Sequence, residues 1–183
     1  MGNVDVGDLC MGLKLLGCVL VIGASTMMGY LVAEKYSKRP AELRTLQAAL
    51  QMLELEIAFS VNALPEAFER IAQSLPENIG MLFAHSSELL KERTGIPAKK
   101  AWRLALKKAY DHLHLEKQDR EILITFGNSL GCSDKDNQIK NIHLACSKLA
   151  MEEKKAEVLR QKNEKMYKSL GVLAGILIAL LFV

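Results

Sequence analysis

One apolar run constrains this chain more than any other feature. From Leu15 to Ala33, nineteen consecutive residues carry no charge, which is close to the roughly 20 residues that an α-helix needs to cross the hydrocarbon of a bilayer. Inside a bilayer, backbone polar groups must bond within their own segment, so a single apolar span is helical. We therefore predict a transmembrane helix within residues 11–35.

Basic residues around this run predict its orientation. One basic residue, Lys14, precedes it, whereas four follow closely: Lys35, Lys38, Arg39 and Arg44. Basic flanks of a membrane helix stay on the cytoplasmic side. We therefore expect the middle of the chain to face the cytoplasm.

A second apolar run extends from Leu170 to Val183. Its length as a helix is only about 21 Å, but Met166 to Ser169 extend it, and Lys168 can reach the interface with its long side chain. Basic residues precede this run and no charge follows it, which predicts the same topology as the first run. We predict a short second span, with a buried core helix as the alternative and both termini across the membrane from residues 36–165.

Processing of the amino end is the rival interpretation of the first run. The small residues Gly23 to Ser25 resemble a signal-peptide cleavage site, and Leu15 to Cys18 resembles a bacterial lipoprotein box. Apolar character resumes at Met27, however, as an uncleaved anchor requires. Residues 1–10 are polar and predicted to be disordered, and translation could start at Met1 or Met11.

The middle of the chain shows helical periodicity. Apolar residues recur at steps of three and four, first in a seam for which we expect packing within the bundle: Leu43, Leu46, Leu50, Leu53 and Ile57. We expect this helix to begin near Pro40 with Ser37 as its cap. Five more helices are expected, over about 64–75, 79–91, 97–109 and 118–130, and from Asp134 onward.

The last predicted helix has no glycine or proline before Gly171, so we expect it to continue unbroken into the second apolar run. The predicted fold class is therefore all-α: a cytoplasmic bundle of about six helices between two transmembrane helices. Its divisions are a disordered extension, a first span, the bundle, a charged helical stalk and a second span, at 1–10, 11–35, 36–150, 151–168 and 169–183.

Sequence motifs for catalysis, cofactors and metals are missing. The chain has no phosphate-binding loop, dinucleotide fingerprint, zinc-protease motif or nucleophile elbow, and its four cysteines form no C-x-x-C pair. His112 and His114 would point to different faces of a helix. Adjacent acids such as Glu152 and Glu153 read as solvated. We predict a non-enzymatic docking protein without cofactor or metal.

Charge also limits the partners. The net charge of +3 is small and its excess flanks the apolar runs, which favours a membrane surface over nucleic acid. Five basic residues line the outer face of the fourth predicted helix, where solvation is the ordinary explanation and binding the alternative: Lys99, Lys100, Arg103, Lys107 and Lys108.

Two further sets of residues are candidate contact sites. Gly171 and Gly175, and likewise Ser25 and Gly29, have the small-x-x-x-small spacing of packed membrane helices, so these helices could pack on each other or on a neighbour, including another copy. Near the start of the last predicted helix, Asp134 and Asp136 could meet basic residues of a partner. The alternative is that both acids only favour the helix start.

Several segments resemble the stage III sporulation protein AB family of endospore-forming Firmicutes over nearly the whole chain from Met11. They are LKLLG at 13–17, RPAELR at 39–44, LQMLE at 50–54 with EI at 56–57, LPEAF at 64–68 and LGCSD at 130–134. More distantly, 63–68 and 95–106 resemble the two halves of a type II secretion F domain, which is also a helical bundle.

This resemblance implies a component of the channel complex that links mother cell and forespore, located in the mother-cell membrane surrounding the forespore. It also implies an adjacent secretion-type ATPase, similar to stage III sporulation protein AA, and other channel proteins as partners. We expect a scaffold that couples this ATPase to the membrane assembly. The alternative is a membrane-tethered adaptor or sensor unrelated to secretion.

The predicted topology can be tested with reporter fusions. A fusion after Val183 should be active only as an extracytoplasmic reporter, and a fusion within 36–165 only as a cytoplasmic one, because both basic flanks favour that arrangement. A reporter that is active after Val183 only in the cytoplasm contradicts the hairpin topology.

Overall fold

The computed structural model describes residues 6–59, 63–92, 95–131 and 134–182, with some side chains near the two chain ends not described. Its elements are six α-helices and one short 3₁₀ turn: α1 (Val6–Phe59), α2 (Leu64–Gln73), α3 (Glu77–Glu92), α4 (Ala98–Ala109), the turn Tyr110–His112, α5 (Lys117–Ser129) and α6 (Lys135–Phe182). Strands are absent from these ranges. The all-α prediction is therefore confirmed.

The chain divides into two compact units, one of residues 38–157, which we call the bundle, and one of 1–37 with 158–183. In the second unit several large apolar side chains are exposed, including Val19, Met28, Leu173 and Leu177. Over the positions that the structure describes, no helix combines the length and hydropathy of a membrane span. The two transmembrane helices remain predictions from the sequence.

Within the bundle, α1 and α6 pack antiparallel. Arg44 forms an ion pair with Glu153, with 2.7 Å between Nη2 and Oε1, and farther along α1 the carbonyl of Ala58 accepts a hydrogen bond from Lys135 Nζ. Increasing residue numbers in α1 thus face decreasing residue numbers in α6. Both chain connections, at residues 38 and 157, therefore lie at the same end of the bundle.

The predicted leucine seam of α1 forms the core. Leu43, Leu46, Leu50 and Leu53 are fully buried, and each such side chain contributes about 1.5–3 kcal/mol of transfer free energy. The same core cluster includes four aromatic rings with centroids 5.4–5.8 Å apart: Phe68, Phe83, Trp102 and Phe126. The interpretation of the seam as core packing is confirmed.

The expected helix start near Pro40 is wrong, because α1 continues through this proline. An interior proline removes a backbone hydrogen bond and costs about 3 kcal/mol. Arg39 and Glu42 beside it are both buried and bonded to other elements of the bundle. These residues lie on either side of Pro40 in the continuous helix, and their contacts contribute stability that opposes the cost of the proline.

The other helix boundaries agree closely with the sequence. Gly95 and Gly131 have positive φ angles of 94° and 69°, which glycine adopts without strain, and both follow the ends of helices. The predicted unbroken last helix is confirmed, since α6 extends from Lys135 to Phe182. The 3₁₀ turn was not expected.

Gly127 provides a test of the packing around Trp102, the single tryptophan. A Cβ atom at Gly127 would lie 2.1 Å from Trp102 Cδ1. Glycine to alanine usually stabilises a helix by roughly 0.5–1 kcal/mol, but this overpacking should reverse the sign. We expect Gly127→Ala to lower the free energy of unfolding by about 1–3 kcal/mol, measured by urea titration of Trp102 fluorescence.

The matched control is Gly23→Ala, because a Cβ atom there would meet no atom within 4 Å. This variant should leave the Trp102 transition unchanged. A Gly127→Ala protein that unfolds at higher urea than the parent contradicts the packing argument.

Candidate interaction surfaces and a buried ion network

A buried arginine joins three elements of the bundle. Arg39, on α1, donates two hydrogen bonds to Asp119 on α5, with Nε–Oδ2 at 2.9 Å and Nη2–Oδ1 at 3.0 Å. It also lies 2.9 Å from Glu116, just before α5, and 3.4 Å from Glu152 on α6. The side chain of Asp119 is completely buried. We call Arg39, Glu116, Asp119 and Glu152 the ion network.

The electrostatics of this network keep Arg39 charged. Burial by itself lowers the pKa of Arg39, but the hydrogen bond and charge of Asp119, followed by the charges of Glu116 and Glu152, raise it above its ordinary value. Glu152 is shared with Lys155, whose Nζ is 2.6 Å from Oε1. A bidentate arginine–carboxylate pair fixes orientation as well as distance, so the network sets how α5 and α6 sit against α1.

Glu42 makes a second set of polar contacts from α1. This buried carboxylate accepts hydrogen bonds from the Asn78 side chain at 3.1 Å and from the His114 backbone N–H at 2.6 Å. His114 Nδ1 lies 2.8 Å from the same group. The contacts connect α1 to α3 and to the segment after α4. Arg39 and Glu42 therefore make the part of α1 that enters the bundle, just after residue 38, its polar hub.

The sequence interpretation of two of these residues is wrong. Arg39 appeared to be a basic residue flanking the membrane, and Glu152 a solvated acid, but both are buried. The spacing held a usable signal. Arg39 precedes Leu46 by seven residues, and Glu152 follows Ala145 by seven, so both occupy seam positions that the periodicity reserves for buried side chains.

Neither metal nor nucleophile chemistry stands out in the described ranges. They contain no cluster of His, Cys, Asp and Glu that could hold a metal ion. Burial, and then the charge of Glu54, raises the pKa of the half-buried Cys146 thiol. A raised pKa leaves less thiolate at neutral pH, which disfavours a reactive cysteine.

Asp134 and Asp136 are exposed at the start of α6, and the structure brings them to the end of the bundle opposite its chain connections. Asp134 precedes the helix; its carbonyl accepts the Gln138 N–H at 3.0 Å, and its carboxylate accepts from the Asn137 side chain at 2.5 Å. The carboxylate thus bonds a side chain, whereas an ordinary cap bonds a backbone N–H.

An open groove of about 250 Å³ lies beside these acids, between α1, α2 and α6, and its lining includes Ile57, Leu64 and Lys135. Phe59, the last residue of α1, is 84% exposed. We call Ile57, Phe59, Leu64, Asp134 and Asp136 the end surface. It combines an exposed aromatic side chain, two acids and a groove whose lining is both apolar and polar. The sequence analysis identified the two acids as candidates but did not identify Phe59, which comes two residues after Ile57, the last residue of the leucine seam.

The predicted membrane-helix contacts are not resolved by the structure. Ser25 is half-buried in α1. The surroundings of Gly29, Gly171 and Gly175 lie outside the described part of the chain. Contact between these helices, or with a neighbour, remains a prediction.

The bundle is thus an all-helical module with a buried ion network and an exposed end surface. A sequence profile of the family described as Stage III sporulation protein AB matches residues 14–183. The chain is 44% identical over 169 residues to "Stage III sporulation protein AB" of Bacillus subtilis (strain 168), covering 92% of this chain and 98% of that protein. A solved structure, "Stage III sporulation protein AB (SpoIIIAB)", matches with a TM-score of 0.65 at 39% identity, covering 68% of this chain and 97% of that one.

The chain belongs to the stage III sporulation protein AB family. The resemblance drawn from the sequence segments is confirmed, and a role in sporulation follows from it. The similarity also extends to the fold, since the solved relative is alike in structure as well as in sequence.

The burial of the ion network predicts that its loss lowers the free energy of unfolding. Asp119→Ala leaves the buried guanidinium without its bidentate partner, and breaking a buried pair costs about 3–5 kcal/mol. We expect this loss in the urea transition of Trp102. Arg44→Ala is the matched control, since the Arg44 side chain is 67% exposed in its pair with Glu153 and exposed pairs contribute roughly 0–1 kcal/mol. Equal losses for both variants would rule out a dominant role for the network.

Proposed function

We propose that this protein is a non-enzymatic scaffold in the mother-cell membrane around the forespore. In this proposal it couples a secretion-type ATPase, similar to stage III sporulation protein AA, to the membrane assembly of the mother cell–forespore channel. Membership of the stage III sporulation protein AB family supports the sporulation setting. The end surface is the observation that carries the docking role.

The position of the end surface suits a docking site. From residue 38 to Phe59, α1 rises about 30 Å at 1.5 Å per residue, which separates the end surface from both chain connections. The ion pairs between α1 and α6 and the buried seam hold this distance fixed. A partner bound there would contact the end of the bundle opposite residues 38 and 157.

The chemistry of the end surface also suits a protein partner. Exposed aromatic side chains are frequent anchors of interfaces, and Phe59 ends α1 two residues after Ile57, which lines the groove. Asp134 and Asp136 add negative charge that accelerates encounter with a basic surface. The proposed partner surface on the ATPase is therefore basic with an apolar pocket.

The membrane attachment rests on the two apolar runs and their basic flanks. Arg39 belongs to the ion network and no longer counts as a flank, but Lys35 and Lys38 still follow the first run. The exposed apolar side chains in 1–37 and 158–183, such as Met28 and Leu177, would be covered by lipid. In this proposal the bundle faces the cytoplasm, where ATP is available to the partner.

Substitutions of Asp134 and Asp136 test the docking. Asn at both positions removes the charge, and its amide oxygen at position 134 can still accept from the Asn137 side chain, whereas Lys at both reverses the charge. We expect a loss of ATPase affinity of about tenfold for the Asn pair, corresponding to about 1.4 kcal/mol, and a larger loss for the Lys pair. Pull-down and binding kinetics with the full-length protein in detergent measure both.

The control reverses two exposed acids elsewhere, with Asp111→Lys and Glu121→Lys in one protein. It should bind the ATPase like the parent. Phe59→Ala should weaken binding independently of salt concentration, because its contribution is apolar. If all variants bind equally at normal helicity, the end surface is not the docking site. If the parent does not bind the ATPase at all, the adaptor or sensor alternative is favoured.

A further inference from the structure

A second, larger groove lies between α2 and α3, away from the end surface. Its volume is about 600 Å³. A Cβ atom at Gly80 would lie 2.9 Å from the Ala72 carbonyl oxygen, so the two helices approach closely. Small or flexible apolar residues line the groove: Ala72, Gly80, Met81 and Ala84.

Acidic residues surround this apolar lining. Four exposed glutamates border the groove: Glu69, Glu77, Glu88 and Glu92. Lys91 is the basic residue there, and it pairs with Glu69 at 2.6 Å. The groove therefore keeps a net negative charge around an apolar centre. We call it the acidic groove.

The outer face of α4 has the complementary pattern. Leu104 is 40% exposed and stands among exposed basic residues at −4, −1, +3 and +4: Lys100, Arg103, Lys107 and Lys108. We call these five residues the basic ridge. The twelve residues of α4 include five bases and no acid, and Lys99 and Lys100 lie in the first turn, where the helix dipole disfavours positive charge. If these side chains only had to be solvated, a mixture of basic and acidic residues would serve equally well.

We propose that the acidic groove of one copy binds the basic ridge of a second copy. Leu104 would enter the apolar lining near Met81, and the bases around it would meet the glutamates. Both the apolar and the charged parts match: an apolar residue inside a basic ring faces an apolar groove inside an acidic ring. Such complementarity gives an interface orientation and specificity.

The two surfaces are different, so the contact is heterologous. Each copy offers a groove to one neighbour and a ridge to another, and repetition generates a ring if the rotation closes or a filament if it does not. The contact uses neither the ATPase nor the end surface. It can therefore succeed or fail independently of the proposed function.

Cysteine cross-linking of full-length protein tests this contact. The four native cysteines are replaced by alanine, and two differently tagged copies are co-expressed in membranes, one with Met81→Cys and the other with Leu104→Cys. Mild oxidation should give a mixed disulfide dimer. The control pairs Met81→Cys with Leu55→Cys, since Leu55 is 59% exposed on α1 and belongs to neither surface; this pair should not cross-link.

Charge exchange distinguishes the interface from a folding effect. Lys100→Glu with Lys107→Glu on the ridge copy should lower the cross-link yield about tenfold, as like charges then face each other. Glu77→Lys with Glu88→Lys on the groove copy should do the same alone, and the two altered copies together should restore the yield. A folding defect cannot be rescued in this way.

Three outcomes overturn the proposal. These are a cross-link between two Met81→Cys copies in preference to the mixed pair, equal yields with the Leu55→Cys control, and no rescue by charge exchange. A fourth measurement identifies another occupant. If co-expression of the ATPase, and not of a second copy, protects Met81→Cys from maleimide, the groove binds the ATPase.

Discussion

The pairing of Arg39 with Asp119 is the interaction on which the rest of the bundle depends. A buried guanidinium is costly unless its donors are satisfied, and here carboxylates from two sides of the bundle satisfy them. The bidentate pair with Asp119 orients α5 against α1, and the pair with Glu152 connects α6 to the same guanidinium. Beside this pair, α1 stays helical through Pro40, a residue that normally ends or kinks a helix.

A closely packed apolar core lies next to this polar hub. Around Trp102 the aromatic rings meet edge to face or tilted, and the indole N–H donates to the Leu123 carbonyl at 2.9 Å. Gly127 lets α5 approach the indole ring closely. Close packing of this kind leaves little room for relaxation, so the bundle presents its surfaces in fixed positions.

Two contact surfaces then follow from the same architecture. The antiparallel pair of α1 and α6 places the end surface far from both chain connections, and the close approach of α2 and α3 forms the acidic groove. They differ in chemistry: one has an exposed aromatic with two acids, the other an apolar trough within a ring of glutamates.

The sequence alone determined the helices, the leucine seam and the family. These depend on periodicity, on glycines with positive φ and on ordered segments such as RPAELR at 39–44, all of which are local. The environment of the charged residues could not be predicted in this way, because a sequence does not show whether a Lys, Arg, Asp or Glu side chain is solvated or paired in the interior. Only tertiary structure could show that Arg39 and Glu152, 113 positions apart, neutralise each other in the interior. The acidic groove likewise required two helices to meet, since its glutamates come from both α2 and α3.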